Sequence, residues 1–179
     1  MTDEIELHDQ LDRLARLHAA GSRSDALNPT QAAALRFLSR ANRFSRSPSQ
    51  VADYLAATRG TVSQTLKALA RKGLIDETPS PGDGRSVSYG VTPTGADALA
   101  RDTELLAALR EIDEPARLGL AEGTHALLRR MIARTGNRGF GLCRRCRHHR
   151  VENGRRRCAL LDLALAAQEA DQLCHEYSE

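Results

Sequence analysis

Two helix starts stand about ten residues apart, and a turn-forming Pro-Gly pair follows them, an order that limits this chain more than any other feature. Ser47-Pro48 opens a helix in which Val51 and Leu55 lie on one side. After Ala57, Thr58 is a side-chain cap for a second helix carrying Val62, Leu66 and Leu69 inward, and Gly73 stands where a C-terminal glycine is expected. Two short helices joined by about three residues make a helix-turn-helix. Between Leu74 and Thr92 the pattern changes to two extended pieces, LIDETPS and RSVSYGVT, joined by Pro81-Gly82-Asp83-Gly84, which predicts a two-stranded hairpin.

The flanks are helical. Leu7, Leu11, Leu14 and Leu17 recur at helical spacing from Glu4 to Ala19, and Gly21, Ser22 and Ser24 end the run. Asn28-Pro29-Thr30 starts another helix, with Leu35 and Leu38 on its inner face, which stops near Asn42. Helix returns from Thr94 through Leu99, Leu105, Leu106, Leu109 and Ile112, is interrupted at Pro115, and resumes through Leu127, Leu128, Met131 and Ile132. Three glycines between Gly136 and Gly141 mark a boundary, dividing the chain into residues 1–135 and 136–179. The expected fold is mostly α with a small β-hairpin, long helices at both ends of the first part, and a small C-terminal module.

Composition narrows the partners. With 179 residues and 41% hydrophobic residues the chain can bury a real core. Lys67 and Lys72 are its only lysines, so its cationic side chains are almost all arginine, the residue suited to bidentate contact with phosphate or guanine. Only 3% of the residues are aromatic and Trp is absent, which argues against base-stacking platforms for single strands and favours duplex DNA. The acidic, amphipathic N-terminus is unlike a secretory signal, and no stretch approaches a membrane span. A cytoplasmic, reduced setting is expected, and there four cysteines read as metal ligands before disulfides.

On the second helix of the pair, Arg59, Thr61, Ser63, Gln64 and Lys67 form the outer face. Small residues at its start permit close approach to phosphates, Arg59 and Gln64 are suited to base edges, and Lys67 to the backbone charge. The helix pair, a hairpin tipped by Asp83-Gly84-Arg85, and the stretch Val91-Thr92-Pro93-Thr94-Gly95 opening a long helix together resemble the MarR family of bacterial transcriptional regulators over about residues 4 to 135. The resemblance implies a winged helix-turn-helix whose wing arginine, here Arg85, enters a minor groove while Asp83 positions the wing. A narrow minor groove concentrates negative potential and attracts such an arginine. It also implies a homodimer on a pseudo-palindromic operator, paired through the stripes Leu7 to Leu17 and Leu118 to Met131, with a small-molecule effector as a further partner.

The segment after Thr135 departs from that pattern. Cys143, Cys146, Cys158 and Cys174 all fall within it, and seven arginines lie between Gly141 and Cys158. Cys143-Arg-Arg-Cys146 is a knuckle for two thiolates, and Cys158 and Cys174 complete a tetrahedral set for zinc, with an iron-sulfur cluster as the alternative. A continuous helix would separate Cys158 from Cys174 by about 24 Å at about 1.5 Å per residue. All four therefore meet only if the chain folds back within Ala159 to Ala167, with helix kept for the later part; otherwise His148 or His149 replaces Cys174. His175 reads as a solvated terminal residue, and His8, His18 and His125 as surface or cap residues.

The leading function is a DNA-binding regulator tuned by a metal or redox signal at these cysteines, and not an enzyme. An adaptor that docks a partner through the metal module is the alternative. A dithiol enzyme using Cys143 and Cys146 lacks the βαβ setting such chemistry uses.

Overall fold

The computed structural model describes residues 3–21, 27–80, 83–99 and 103–179, with the side chains of residues 80 and 83–85 outside the description. Seven helices run α1 (Glu4–Gly21), α2 (Pro29–Arg40), α3 (Pro48–Leu55), α4 (Arg59–Arg71), α5 (Pro93–Leu99), α6 (Glu104–Glu111) and α7 (Glu114–Thr135). Strands β1 (Ile75–Ser80) and β2 (Asp83–Val91) form the antiparallel hairpin, in register from Ile75 opposite Val91 to Pro79 opposite Val87.

The expected starts are real caps. Asn28 and Ser47 each accept a bond from the backbone N–H three residues on, and the Gln31 and Gln50 side chains bond back to their N–H groups. Thr58 Oγ1 accepts from Thr61 N at 3.2 Å. Ala56 adopts a left-handed conformation (φ 49°), so α3 stops abruptly and α4 leaves in a new direction. At the far end of α4, Gly73 has φ 66°.

Leu35, Leu38, Val51, Val62, Leu66, Leu69 and Ile75 are fully buried and hold α2, α3, α4 and the hairpin base around one core. The Val91-to-Gly95 stretch has a local cause. Thr92 Oγ1 donates to Gly73 O at 2.7 Å and accepts from Gly95 N at 3.0 Å, while Thr92 N donates to Leu74 O at 3.1 Å. One threonine thus caps α5 and ties it to the end of α4.

In the tail, β3 (Gly141–Leu142) pairs with β7 (Leu173–Cys174), and β4 (His149–Glu152), β5 (Arg155–Cys158) and β6 (Leu163–Leu165) form an antiparallel sheet. The chain does fold back between Ala159 and Ala167. Asp162 turns with φ 57°, and β6 returns beside β5 with Leu163 opposite Cys158. The later part carries only a short 3-10 turn, Ala167–Asp171, in place of a longer helix.

This tail is packed on the helix-turn-helix. Leu173 belongs to the same buried core, Ala41 bridges to Leu173, and Asn42 N donates to Leu173 O at 2.9 Å. Phe140 meets Phe37 and Tyr54 edge-on, while Phe37 and Tyr54 stack with centroids 4.3 Å apart. Arg43 reaches from the α2–α3 linker to Ala164 O (2.8 Å) and to the buried Glu169 carboxylate (3.4 Å).

Neither α1 nor α7 buries a single residue within the described chain. Leu17 is 63% exposed, Leu118 58%, and Leu128 and Met131 55% each. No described helix is long and apolar enough to cross a membrane.

Candidate nucleic-acid interface and cysteine cluster

Helix α4 separates its residues cleanly by face. Val62, Thr65, Leu66 and Leu69 point into the core, while Arg59, Thr61, Gln64 and Lys67 are exposed and Ser63 is half-buried. Thr61 Oγ1 also contacts Thr58 Oγ1 at 2.9 Å, and Thr65 Oγ1 donates to Thr61 O at 2.9 Å. Lys72 Nζ donates to Gln31 Oε1 at 2.9 Å, fixing the end of α4 to the start of α2. The polar face is therefore presented on a rigid base, as base readout requires.

Asp83 and Arg85 lie on β2, at the end of the hairpin away from the core. Between Ser80 opposite Asp83 and Pro79 opposite Val87 the register shifts, so Gly84, Arg85 and Ser86 bulge from the ladder. The Asp83 and Arg85 side chains, and the turn expected at Pro81-Gly82, lie outside the described residues.

A cleft of about 260 Å³ opens between α3 and α7, lined by Asp53, Tyr54, Leu128, Met131, Arg138 and Phe140. It is mostly apolar with one charge of each sign at hand. Sequence reasoning did not mark Tyr54, Arg138 or Phe140, because no periodic pattern links residues from separate elements.

The four cysteines come to one end of the tail as free thiols, three of them buried and Cys146 half-buried. Cys143 and Cys146 bracket a 3-10 turn in which Cys146 N donates to Cys143 O at 3.0 Å, and His149 N donates to Cys146 O at 3.0 Å. The β3–β7 pairing sets Gly141 opposite Cys174 and Leu142 opposite Leu173, and Cys143 N donates to Gln172 O at 3.1 Å, so Cys143 and Cys174 stand diagonally across that ladder on one face. In the other sheet Cys158 is directly opposite His149, whose Nδ1 is 3.6 Å from Cys143 Sγ. Burial pushes the Cys143 thiol up to about 12, and the negative charges of Cys174, Cys158 and Cys146 add to the rise. Burial also raises Cys174, against hydrogen bonds from the Asn42 side chain, the Glu176 backbone and the Ser45 side chain. Among the described residues no three His, Cys, Asp or Glu side chains are already gathered at ion-holding geometry.

Two histidines differ from expectation. His175 is largely buried instead of solvated: its N donates to Ser45 Oγ at 3.0 Å, its Nδ1 is 3.2 Å from the same oxygen, and its Nε2 is 3.0 Å from Gln50 Nε2. Burial lowers its pKa. His18 is half-buried, with Nδ1 lacking a partner among the described residues. His125 is on the surface, 3.6 Å from Glu179.

A capped helix pair, an outward polar face on its second helix and an adjoining hairpin define a winged helix-turn-helix, a scaffold that presents a helix to a duplex groove. Residues 27–86 match the model of the MarR family. The same fold occurs in the MarR family transcription regulator SP03579, at 23% identity over 72% of this chain and 87% of that one, with a TM-score of 0.55. Escherichia coli MarR in its apo form matches at 18% identity over 72% and 98%, TM-score 0.55. MepR from Staphylococcus aureus, in a crystal structure with DNA, matches at 19% identity over 74% and 98%, TM-score 0.53. No curated protein matches the chain.

Proposed function

We propose that this protein is a transcriptional regulator that binds a pseudo-palindromic operator in duplex DNA as a homodimer. The observation that carries this reading is the exposed row Arg59, Thr61, Gln64 and Lys67 on a helix whose other face is locked in the core. The MepR–DNA complex supports it, because a chain of the same fold binds DNA. In the proposed complex α4 lies in a major groove, Gln64 and Arg59 read base edges, and Lys67 neutralises phosphate. The wing, with Asp83 positioning Arg85, reaches the neighbouring minor groove. No catalytic role is assigned to any residue.

The test is fluorescence anisotropy on duplexes selected from random sequence, repeated across a salt series. Binding should weaken linearly in log–log form, with a slope of about −0.9 per phosphate neutralised. Gln64→Ala should cost about 1–3 kcal/mol and relax preference at one base position, whereas Lys67→Ala should weaken all sequences alike and shallow the slope by about one. Arg85→Ala should cost about 1–3 kcal/mol as well. Salt-independent binding, or none, would remove the regulator reading.

The second copy is proposed from the uncovered leucines of α1 and α7. Contiguous apolar surface of this kind on a soluble chain marks an interface. Sedimentation should show a dimer, and Leu128→Glu should give monomers with greatly weakened operator binding, since half-sites about one helical turn apart need two linked helices. A monomeric parent protein would refute this. The α3–α7 cleft is the proposed entry for a small-molecule effector, and the packed tail the proposed entry for a metal or redox signal, because both touch α3.

A further inference from the structure

From the arrangement of the tail we infer that Cys143, Cys146, Cys158 and Cys174 hold one zinc ion as a four-thiolate site, and that this ion pins the tail to the linker ahead of α3. The pinning deepens the operator-binding reading and rests on it; the ion site does not.

Three observations carry the site. The first is convergence by construction: the Cys143–Cys146 turn, the end of β5 and the end of β7 come from three separate stretches, and backbone pairing sets Cys174 diagonally across from Cys143 and Cys158 opposite His149. His149, between two of them, is within 3.6 Å of the Cys143 sulfur and opposite Cys158. The set is all sulfur, soft, and of the number that tetrahedral zinc takes.

The second is the shortage of any other core. Around the cysteines the buried cluster contains only Cys143, Cys158 and Leu165, with Phe44 and Leu161 partly buried beside it. Leu173, Leu142 and Phe140 anchor the rest of the tail to the main core, but the end that carries the cysteines has little apolar burial of its own, and such a small unit is usually held by a disulfide or a metal. All four cysteines are free thiols, so a disulfide is not the staple.

The third is the seat of Cys174: the residues on either side of it are bonded to the α2–α3 linker, Leu173 O accepting from Asn42 N at 2.9 Å and His175 N donating to Ser45 Oγ at 3.0 Å, outer contacts of the kind that orient a metal ligand. Neutral thiols attract one another weakly, and four thiolates repel. Without a cation nothing draws the sulfurs to the spacing of about 3.8 Å that Zn–S bonds of about 2.3 Å impose. A bound cation reverses that balance.

The link to α3 is short. Asn42 Oδ1 accepts from Phe44 N at 3.1 Å and from Ser45 Oγ at 2.6 Å, so the two residues that bond the neighbours of Cys174 also shape the linker between α2 and α3. The residue after Cys174, His175, contacts Gln50 in the first turn of α3, and that glutamine caps the helix through Ser47 N at 2.8 Å. An ion that fixes Cys174 therefore fixes the start of α3 through side chains already in contact.

Full-length protein purified without added metal should contain one zinc per chain by mass spectrometry and be colourless. After removal of zinc by a chelator, the same protein should take up Co2+ with the near-ultraviolet thiolate charge-transfer band. Cys158→Ser and Cys174→Ser should lose zinc. Ser45→Ala, which keeps every ligand, should retain the fold by circular dichroism while binding zinc about tenfold more weakly. A brown, iron-containing sample overturns the zinc assignment. Four thiols that react freely with a disulfide reagent, together with no Co2+ band in the parent protein, overturn the site whether or not the variants fold. For the pinning, zinc removal should lower duplex affinity about tenfold. Unchanged affinity with zinc gone overturns the pinning, while loss of duplex binding in the zinc-loaded protein overturns the operator reading and leaves the ion site standing.

Discussion

Replacing Gly95 with alanine should destabilise the protein by about 3 kcal/mol, the upper part of the range for forcing an atom into a packed site. An added Cβ would overlap Leu74 O and stand 3.0 Å from both Leu74 C and a Val91 methyl. Neither of the first two contacts is a flexible side-chain end, so the backbone itself must move. The movement would pull on the Thr92 bonds to Gly73 O and Leu74 O that join α5 to the end of α4. Alanine normally gains up to about 1 kcal/mol over glycine inside a helix, so a loss here has the opposite sign from helix propensity. Urea unfolding should show an earlier midpoint at constant slope. A midpoint at or above that of the parent protein would mean that α5 does not approach Leu74 so closely.

Phe37→Ala should cost about 3–5 kcal/mol, the range for emptying a buried phenylalanine site. Phe37 is 2% exposed, stacks on Tyr54 of α3 at 4.3 Å and meets Phe140 edge-on at 5.6 Å. Its ring thus joins three segments: α2, α3 and the stretch leading from α7 into the cysteine tail. Truncation leaves a cavity that none of the three can fill alone, and aromatic pairing worth about 0.5–1.5 kcal/mol per pair is lost with it. Thermal unfolding should fall to a clearly lower midpoint, and the tail thiols should react faster with a disulfide reagent at temperatures where the parent protein is still folded. Faster thiol reaction is the specific sign that the ring holds the tail down. A variant with lowered stability and unaltered thiol reactivity would show that the tail is held by its polar contacts alone.

Much of the helix-turn-helix was legible because its signals are local. A cap acts over three residues and a left-handed glycine over one, so Asn28, Ser47, Thr58 and Gly73 could be read without knowing what they pack against. Helical spacing of leucines likewise marked α1 and α7, although spacing alone does not say what covers a stripe. Both are left uncovered by the described chain. The tail was read less well. Its strands are two to four residues long and rich in arginine, too short for an alternating pattern to register. The fold-back required for four cysteines to meet was foreseen, while the turn at Asp162 and the short 3-10 segment were not.

Asn42, Ser45, Gln50 and His175 are polar residues that gain significance only from neighbours distant in sequence. Ser45 and His175 are separated by 130 positions and share a hydrogen bond.

By itself the sequence determined the helix starts and stops, the hairpin, the outward face of α4 and the presence of four soft donors, because each depends on residues within a turn or two of one another. Only the tertiary structure decided that the tail is seated on the α2–α3 linker, that Phe140 closes against Phe37 and Tyr54, and that Cys143 and Cys174 end on one ladder. Those outcomes depend on which surfaces are buried together, and burial is a property of the whole packed chain.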